Sequence, residues 1–385
     1  DNVSHDEIYD KLDAGGIKFY VGYDPTASSL QIGNLFVVIT MMRLQKAGHT
    51  PFALVGGATG MIGDPSGKSA ERNLLDADTL TKNIAGQTKQ LMHFLDFEGD
   101  NKAVVVNNFD WMNGFSYLEF LRDVGKRFRV SEMLAKDSVK SRLNSDAGIS
   151  YTEFSYQILQ AYDFCHLNKN HDVSLQLGGS DQWGNVTAGI DLTRKINSKQ
   201  VFGLMVPLVT DSNGNKFGKS EGGTAIYLCP DMTSPYQMYQ YLLNSDDESV
   251  IKYLKYFTFL SHEEINELEE KTKSEAHLRT AQKKLAADVV KLVHGDKGVA
   301  SAERATSFFF GGTIENVSDS EVASIFADVP ALDLDKTELS KISILDLLAQ
   351  TPLFKSKGEA RRSLQQKGIY LNNIQVSDME LVVGS

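Results

Sequence analysis

The 385-residue chain has little cysteine and no long apolar run. Its two cysteines, Cys165 and Cys229, are far apart and lack CxxC spacing, which argues against a disulfide framework or a cysteine-built zinc site and fits a reducing compartment. No segment approaches the roughly twenty apolar residues that a membrane helix needs, and the N-terminal DNVSHDEIYD lacks the basic-then-apolar pattern of a secretion signal. The sequence therefore predicts a cytoplasmic protein with no membrane partner.

Several common enzyme motifs are also missing. The stretch VGGATGMIGDPSGKS approaches a phosphate loop, but the pattern GxxxxGK[ST] needs glycine where Ile62 stands. The dinucleotide fingerprint GxGxxG is absent after the first apolar run, and GGSDQ at 178–182 has Gln182 where a nucleophile elbow needs glycine. None of the eight histidines lies in an HExxH motif. Dehydrogenase, kinase, hydrolase and metalloprotease functions are therefore disfavoured, and we expect no protein-built metal site.

Positive charge is scarce overall but not at the C-terminus. The net charge of −11 argues against a nucleic-acid partner, because phosphate contacts need local positive charge. Residues 341–385, however, carry six Lys or Arg against four Asp or Glu, a local charge of +2. Five of the six basic residues fall in LFKSKGEARRSLQQKG: Lys355, Lys357, Arg361, Arg362 and Lys367. Helical spacing would put several of them on one side, a pattern that an ordinary solvated helix face also shows.

The first two hundred residues alternate between apolar runs typical of buried strands and stretches with helical spacing. Strands are predicted at 17–23, 50–55, 103–106, 173–177 and 203–209, with helices at 31–48, 78–97, 152–167 and 183–197. Ser28 and Ser29 are predicted to cap the 31–48 helix, whose first amide groups offer a site for a phosphate. The alternation predicts an α/β fold with a largely parallel sheet, and the length allows two or three domains.

Polar or glycine-rich turns follow these predicted strands. They are Asp24-Pro25-Thr26, GGATG at 56–60, Asn107-Asn108, GGSDQ at 178–182 and KFGKS at 216–220. Each turn alone is ordinary punctuation between elements. Because the carboxyl ends of parallel strands share one edge of a sheet, the five turns together predict a ligand-binding crevice there.

These segments carry a family resemblance. YVGYDPTASSLQIGNL, ALVGGATGMIGDPSGKSAER, TEFSYQILQAYDF, LQLGGSDQWGN and KFGKS resemble, in this order and spacing, the bacterial or organellar tyrosyl-tRNA synthetases of class I. The resemblance runs from about Phe19 to the end of the chain. It implies a Rossmann-like parallel-sheet catalytic domain, then an all-α domain, then a small α+β RNA-binding module.

The domain boundaries follow from this resemblance and from the helical run after position 234. We expect the catalytic domain at 1–206, with a dimer-interface segment near 110–150, and a connector at 207–234 that carries the KFGKS loop. A helical anticodon-side domain is expected at 235–312 and a linker at 313–340. The RNA-binding module would occupy 341–385 and be incomplete, since family members continue with further strand.

The resemblance also implies catalytic residues. QIGN corresponds to the class signature written HIGH, and KFGKS to the KMSKS loop, which keeps Lys216 and Lys219. Two lysines on a glycine-containing loop suit a mobile clamp on the departing pyrophosphate. Gln31 and Asn34 replace the signature histidines, although their amide groups can still donate to phosphate oxygens. Thr26, in the turn before QIGN, also matches the family and is expected to be catalytic.

Further site residues concern tyrosine. Tyr156, Gln160 and Asp163 are spaced i, i+4 and i+7, so they share one helix face. By resemblance, Tyr156 and Gln160 surround the substrate ammonium group with Asp64. Asp163 and Tyr20 hydrogen-bond the phenolic hydroxyl, and Gln182 contacts the carboxylate side.

The nucleotide site is implied by the same resemblance. The expected ATP-binding residues, besides the two loop lysines, are Asp24, Gly33, Gly179, Asp181, Lys68 and Arg72. Thr59 and Asn108 are lesser candidates for the site. Magnesium is expected with ATP and is held mainly by phosphates, since the sequence shows no carboxylate cage.

The implied reaction is the ATP-dependent attachment of L-tyrosine to tRNA(Tyr) through a tyrosyl-adenylate intermediate. The implied partners are tRNA(Tyr), L-tyrosine and a second copy of the chain; no DNA partner is expected. An alternative is a catalytically weakened RNA-binding relative, suggested by Gln31 and Asn34.

Overall fold

The computed structural model describes residues 5–66, 75–144, 148–219, 223–309 and 332–383 apart from 333, 355 and 373. The chain divides into two compact units. The first comprises Asp1–Met232 and Ile251–His262, and the second comprises Thr233–Val250 and Glu263–Ser385.

A five-stranded parallel sheet forms the centre of the first unit. Its strands are β1 (Lys18–Tyr23), β2 (Thr50–Val55), β3 (Val104–Asn107), β4 (Leu175–Gly179) and β5 (Phe202–Val206). The spatial order is β3-β2-β1-β4-β5, so the order reverses beside β1. This confirms the α/β class and places the switch point of the sheet between β1 and β4.

Helices separate the strands along the chain. They are α1 (His5–Ala14), α2 (Ile32–Lys46), α3 (Ala77–Phe94), α4 (Phe109–Met112), α5 (Tyr117–Asp123), α6 (Val130–Leu134), α7 (Asp137–Leu143), α8 (Tyr151–His171) and α9 (Trp183–Asn197). Strands β1, β2 and β4 are largely buried, as the apolar runs require when a parallel sheet is covered by helices.

The start of α2 differs from the expected capping. The N-cap residue is Gln31, whose backbone N–H donates to the Oδ1 atom of Asn34 at 3.0 Å. Ser28 and Ser29 precede the cap, so the prediction that they cap this helix is wrong. The buried Ser29 hydroxyl instead donates to the carbonyl of Leu30 at 2.8 Å, because the chain runs on for two residues before it turns into the helix.

Helix α8 carries the predicted tyrosine-binding stripe, and its first turn is fixed in two ways. Ser150 caps the helix by accepting from the N–H of Glu153. The Glu153 carboxylate also pairs with Arg142 of α7 at 2.7 Å, and both side chains are only 2% exposed. Arg142 donates further to the carbonyl of Gly148, so the buried guanidinium is well satisfied.

The described part of the second unit contains helices and a small two-stranded sheet. The helices are α10 (Pro235–Leu243), α11 (Asp247–Phe257, which continues into the first unit), α12 (His262–Ser274, which begins there), α13 (Thr280–Phe309, with a non-helical backbone at Gly295), α14 (Lys336–Leu339), α15 (Ile344–Gln350) and α16 (Lys357–Gln365). Strands β6 (Ile369–Leu371) and β7 (Ile374–Val376) pair antiparallel. This confirms the all-α region followed by a small α+β module.

The C-terminal module has its own apolar core, built from α15, α16 and β7 and including Ile344, Leu348 and Leu364. Arg361 and Arg362 are exposed on α16, as expected of the basic helix, whereas Lys355 lies outside the described residues. None of the described helices has the length and apolar character needed to span a bilayer.

Candidate active site

A cavity of about 390 Å³ lies at the carboxyl edge of the sheet, beside the switch point. Most of the side chains expected at the site line it. They are Tyr20, Asp24, Thr26, Gln31, Gly33, Asn34, Thr59, Asp64, Tyr156, Gln160, Asp163, Gly179, Asp181, Gln182 and Lys216. Lys219 and Asn108 are not part of this lining, and Lys68 and Arg72 lie outside the described residues.

Tyr20 and Asp163 both line this cavity and are almost fully buried. Tyr20 is 1% exposed on β1, and its ring lies 5.2 Å from the ring of Phe164. Burial, and then the nearby Asp163 carboxylate, raise the pKa of the Tyr20 hydroxyl well above its usual value. The hydroxyl therefore stays protonated and can donate a hydrogen bond to a ligand.

Two side-chain donors hold the Asp163 carboxylate. Its Oδ1 atom accepts from the indole N–H of Trp111 at 2.9 Å, and its Oδ2 atom accepts from Asn108 at 3.1 Å. Burial raises the pKa of Asp163 from 3.8 to about 7, although the two hydrogen bonds act in the opposite direction. Asn108 thus acts beside the cavity, through Asp163, without lining it.

A second cluster of polar side chains in the cavity lining contains Asp64, Gln160 and Gln182. Asp64 accepts from the amide of Gln182 at 2.7 Å and from the amide of Asn185 at 3.4 Å. Gln160 donates to the Oε1 atom of Gln182 at 3.3 Å. The backbone N–H of Ser66 also donates to Asp64, which fixes the carboxylate near the cavity. A carboxylate and amide oxygens in this arrangement suit an ammonium group.

Asp24 lies between these two regions. It accepts from the hydroxyl of Tyr156 at 2.8 Å and from the hydroxyl of Thr59 at 2.7 Å. Burial, and then the charges of Asp24 and Asp64, raise the pKa of Tyr156 well above its usual value. The assignment of Asp24 to ATP stays a prediction, because its observed partners belong to the tyrosine side of the expected site.

Four buried polar atoms along this cavity have no hydrogen-bond partner within the described part of the chain. They are Tyr20 Oη, Gln87 Oε1, Gln160 Oε1 and Gln176 Oε1. An unpaired buried polar group costs about 1–3 kcal/mol, so such groups are uncommon unless a ligand or water satisfies them. Their clustering here is what a site built to pair the polar atoms of a ligand requires.

The lysine loop, residues 216–219, approaches the start of α2. Lys216 is exposed and lines the cavity, and Lys219 forms an isolated β-bridge with Ala225. Gly218 has φ +108°, and a side chain there would lie 3.5 Å from the backbone nitrogen of Gly33. The positive φ is what favours glycine at residue 218, because L side chains rarely adopt this backbone conformation.

Sequence reasoning missed several polar residues of the site, among them Gln87, Trp111, Gln176 and Asn185. Trp111 lies on α4, three residues after the predicted polar turn Asn107-Asn108. Gln176 was visible as a polar residue in the apolar run VSLQL, and such an interruption indicates a buried functional group. Asn185 lies three residues after Gln182, where helical spacing brings the two side chains together.

No group of three or more His, Cys, Asp or Glu side chains suited to a metal ion occurs among the residues whose positions are described.

Comparison with known proteins gives a consistent picture. Residues 13–311 match the family model of tRNA synthetases class I (W and Y), and residues 321–385 match the tyrosine–tRNA ligase SYY-like C-terminal domain. The tyrosine–tRNA ligase of Rhodopirellula baltica is 54% identical over 383 residues, covering 98% of this chain and 87% of the relative. Tyrosine–tRNA ligase 1 of Bacillus subtilis is 50% identical over 94% of this chain and 85% of its own.

Solved structures agree. A C-terminally truncated mitochondrial tyrosyl-tRNA synthetase of Coccidioides posadasii aligns with a TM-score of 0.68 and 34% identity, covering 79% of this chain and 87% of that one. A tyrosyl-tRNA synthetase of Archaeoglobus fulgidus complexed with L-tyrosine, at 17% identity and a TM-score of 0.57, shares the fold.

Proposed function

This chain belongs to the tyrosine–tRNA ligases, class I aminoacyl-tRNA synthetases, and we propose that the cavity beside β1 and β4 is where it activates L-tyrosine with ATP. The activated tyrosine then passes to tRNA. The observation that carries this assignment is the buried pair of Tyr20 and Asp163 at one end of the cavity, with Lys216 and Asp181 also in its lining.

In the first step, a carboxylate oxygen of tyrosine attacks the α-phosphorus of ATP. The bond from the α-phosphorus to the bridging oxygen of the β-phosphate breaks, which gives tyrosyl-adenylate and pyrophosphate. A terminal ribose hydroxyl of tRNA then attacks the tyrosyl carbonyl, and AMP leaves. The enzyme supplies no nucleophile, so the rate comes from positioning and from stabilising charge on the phosphates.

Tyr20 and Asp163 recognise the phenol of the substrate. The Tyr20 hydroxyl has a free hydrogen to donate, and the Asp163 carboxylate, already held by Trp111 and Asn108, accepts the phenolic hydrogen. When phenylalanine enters, these buried groups stay unpaired. Tyrosine synthetases are the standard example of such discrimination against phenylalanine, at about 10⁵.

The opposite side of the cavity holds the ammonium and carboxylate groups. Asp64 and the oxygen of Gln160 face the ammonium together with Tyr156, and Gln182 lies on the carboxylate side. Support comes from the unpaired Gln160 oxygen, which needs a donor, and from the acidic surroundings of Tyr156.

ATP occupies the open part of the cavity. Asp181 and Gly179, at the end of β4, contact the ribose, since a carboxylate at a strand end accepts from sugar hydroxyls. Thr26, Gln31 and Asn34, with the neighbouring Gly33, contact the phosphates.

The cations proposed for the departing pyrophosphate are Lys216 and Lys219, assisted by Lys68 and Arg72. Lys216 is best supported by its place in the cavity lining. Mg²⁺ would be held mainly by the phosphates of ATP, since the described side chains offer no cage of carboxylates, and it would neutralise phosphate charge.

The protein is proposed to be a homodimer through the segment near 110–150. Large apolar side chains are unusually exposed there: Tyr117, Leu118, Val130, Leu134 and Leu143, with Tyr151 close by in sequence. Leu118 is 76% exposed. Apolar side chains concentrated on one segment mark a surface that another protein covers. Sedimentation of the wild type at the monomer mass would contradict this proposal.

The other regions keep the roles that the resemblance implies. The helices of 235–312 would lie on the anticodon side of the tRNA, and the module at 341–385 would contact RNA. The exposed Arg361 and Arg362 support the second assignment, because such side chains neutralise phosphates. A charge-reversed pair at these two positions should weaken tRNA binding, with a salt dependence reduced relative to wild type.

The deciding experiment is exchange of labelled pyrophosphate into ATP, measured with each of several amino acids. Exchange with tyrosine and not with phenylalanine is expected. Charging of tRNA(Tyr) with labelled tyrosine then tests the second step. A folded wild-type protein that binds tyrosine but supports no exchange would contradict the assignment and favour a catalytically weakened relative.

A further inference from the structure

A row of three amide side chains on α3 holds the turn between β1 and α2. Asn83, Gln87 and Gln90 are spaced i, i+4 and i+7 and therefore share one helix face. The Asn83 amide donates to the carbonyl of Pro25 at 2.9 Å, and the Gln87 amide donates to the carbonyl of Ala27 at 3.1 Å. We call these three residues the amide row.

Gln90 makes the most specific contact of the row. Its Nε2 atom donates to the Oγ atom of Ser29 at 2.9 Å, and its Oε1 atom accepts from the N–H of Leu30 at 2.7 Å. One side chain therefore fixes two consecutive residues just before the N-cap of α2. Gly86 makes this approach possible, because a Cβ atom at that position would collide with the carbonyl oxygen of Ser28.

Ser29 connects this turn to a second segment. The residue is 2% exposed, and its hydroxyl accepts from Gln90 and from the backbone N–H of Cys229 at 3.0 Å. Its own hydrogen goes to the carbonyl of Leu30, so the hydroxyl uses one donor and two acceptor positions. Removing it would leave two N–H donors without their partner.

The segment reached through Ser29 in turn supports the lysine loop. Residues 226–228 pair with 30–32: the N–H of Leu228 donates to the carbonyl of Leu30, and the N–H of Ile32 donates to the carbonyl of Ile226, both at 2.9 Å. The N–H of Ile226 donates to the carbonyl of Gly218, also at 2.9 Å. A continuous set of hydrogen bonds thus runs from α3 to the loop that carries Lys216 and Lys219.

We propose that Gln90 and Ser29 are positioning residues for ATP, which act by fixing the β1–α2 turn and the lysine loop relative to each other. This inference rests on the proposed function. Gln90 is not part of the cavity lining, and Ser29 lies in the lining but uses its hydroxyl for bonds within the protein. The tyrosine end of the cavity, where Tyr20 and Asp163 meet, has none of these bonds. Gln87 of the amide row also donates to the carbonyl of Asp24 at 3.3 Å, whereas the bonds of Gln90 and Ser29 go to each other, to Leu30 and to Cys229. The effect of Gln90 and Ser29 should therefore fall on ATP rather than on tyrosine.

The test compares the kinetics of pyrophosphate exchange in Ser29→Ala and Gln90→Ala with those of the wild type. We expect the KM for ATP to rise at least tenfold in each variant, while the KM for tyrosine stays within twofold. Gln90→Glu keeps the length of the side chain and the acceptor for Leu30 but cannot donate to Ser29, so its KM for ATP should rise in the same direction, by less than in Gln90→Ala. Since the two side chains share a hydrogen bond, the rise in the KM for ATP in the double variant should be smaller than the product of the two single rises.

Thr40→Ala is the matched control. The Thr40 hydroxyl lies on α2, is half-buried and donates only to the helix carbonyl of Phe36, at 2.8 Å. Thr40→Ala should leave the KM for ATP and the KM for tyrosine unchanged. Thermal unfolding of every variant separates loss of folded protein from loss of ATP affinity, and Gln90→Glu keeps the test available if an alanine variant folds poorly.

The outcomes are distinct. Equal increases in the KM for ATP and for tyrosine, or no increase in either, would overturn the positioning role while leaving the proposed function in place. Absence of exchange in the wild type would overturn the proposed function. The positioning role would then be decided by calorimetric ATP affinity, where Ser29→Ala must be at least tenfold weaker than Thr40→Ala to support it and an equal affinity would overturn it.

Discussion

Tyrosine binding should release a proton near neutral pH, and Asp163 should be its source. Burial raises the pKa of this carboxyl to about 7, so in the ligand-free site about half of the molecules carry the proton at pH 7. A phenolic hydroxyl that donates to Asp163 favours the ionised form. Binding at pH 7 should therefore release about half a proton, and this value follows from the pKa of about 7.

The same reasoning fixes the pH dependence of affinity. If only the ionised carboxylate binds tyrosine, affinity should be about tenfold weaker at pH 6 than at pH 8, which follows from the pKa of about 7. Stability should change in the opposite sense. The folded-state pKa lies above the unfolded value of 3.8, so the contribution of Asp163 to stability is complete below about pH 4 and is lost as pH rises through about 7. A shift of about three units corresponds to about 4 kcal/mol.

Calorimetry of tyrosine binding in buffers of different ionisation enthalpy measures the released proton directly. Asp163→Asn is nearly isosteric and cannot titrate at this position. Proton release measured with this variant comes from the ligand and the remaining protein, and it is subtracted from the wild-type value. His166, whose ring stacks on Trp111 at 4.4 Å and whose pKa is lowered mainly by burial, needs the second control His166→Gln. Equal proton release in the wild type and in Asp163→Asn would refute the assignment.

Three further predictions concern single side chains. Lys216→Ala should lower kcat for exchange by about 10²-fold or more, as loss of a transition-state donor does, with the KM for tyrosine unchanged; an unchanged kcat would remove Lys216 from the mechanism. Arg142→Met should lower the free energy of unfolding in urea by about 3–5 kcal/mol, because it leaves the buried Glu153 charge unpaired. The double variant Arg142→Met with Glu153→Leu should have a free energy of unfolding closer to that of the wild type than Arg142→Met alone has. A free energy of unfolding lower than that of Arg142→Met would contradict this. Trp111→Phe removes one donor to Asp163 and should move the midpoint of the pH dependence of tyrosine binding upward; a midpoint that stays in place or falls would contradict the hydrogen bond.

The sequence pattern within short segments was sufficient to predict the strands of the sheet and the polar face of α8. Apolar runs ended by polar turns located the strands, and the rule that parallel strands share a carboxyl edge located the crevice. The spacing of Tyr156, Gln160 and Asp163 was enough to bring them together, because helix geometry is fixed by distance along the chain.

Contacts between distant segments were not accessible in the same way. Trp111 donates to Asp163 across 52 positions, and Gln90 donates to Ser29 across 61. Neither contact has a local signature, since the first depends on how α4 and α8 pack and the second on how α3 packs against the β1–α2 turn. The incorrect cap at Ser28 and Ser29 has the same origin: composition favoured a serine cap, whereas the true role of Ser29 is set by Gln90 and Cys229.

The unpaired hydroxyl of Tyr20 has an evolutionary consequence. Tyr20 could be replaced by an apolar side chain of similar size, and the ligand-free protein would become more robust to heat. Selection for thermostability and selection for fidelity therefore act in opposite directions at this position. Variants isolated only for heat resistance should accumulate changes such as Tyr20→Phe and become more tolerant of the wrong amino acid.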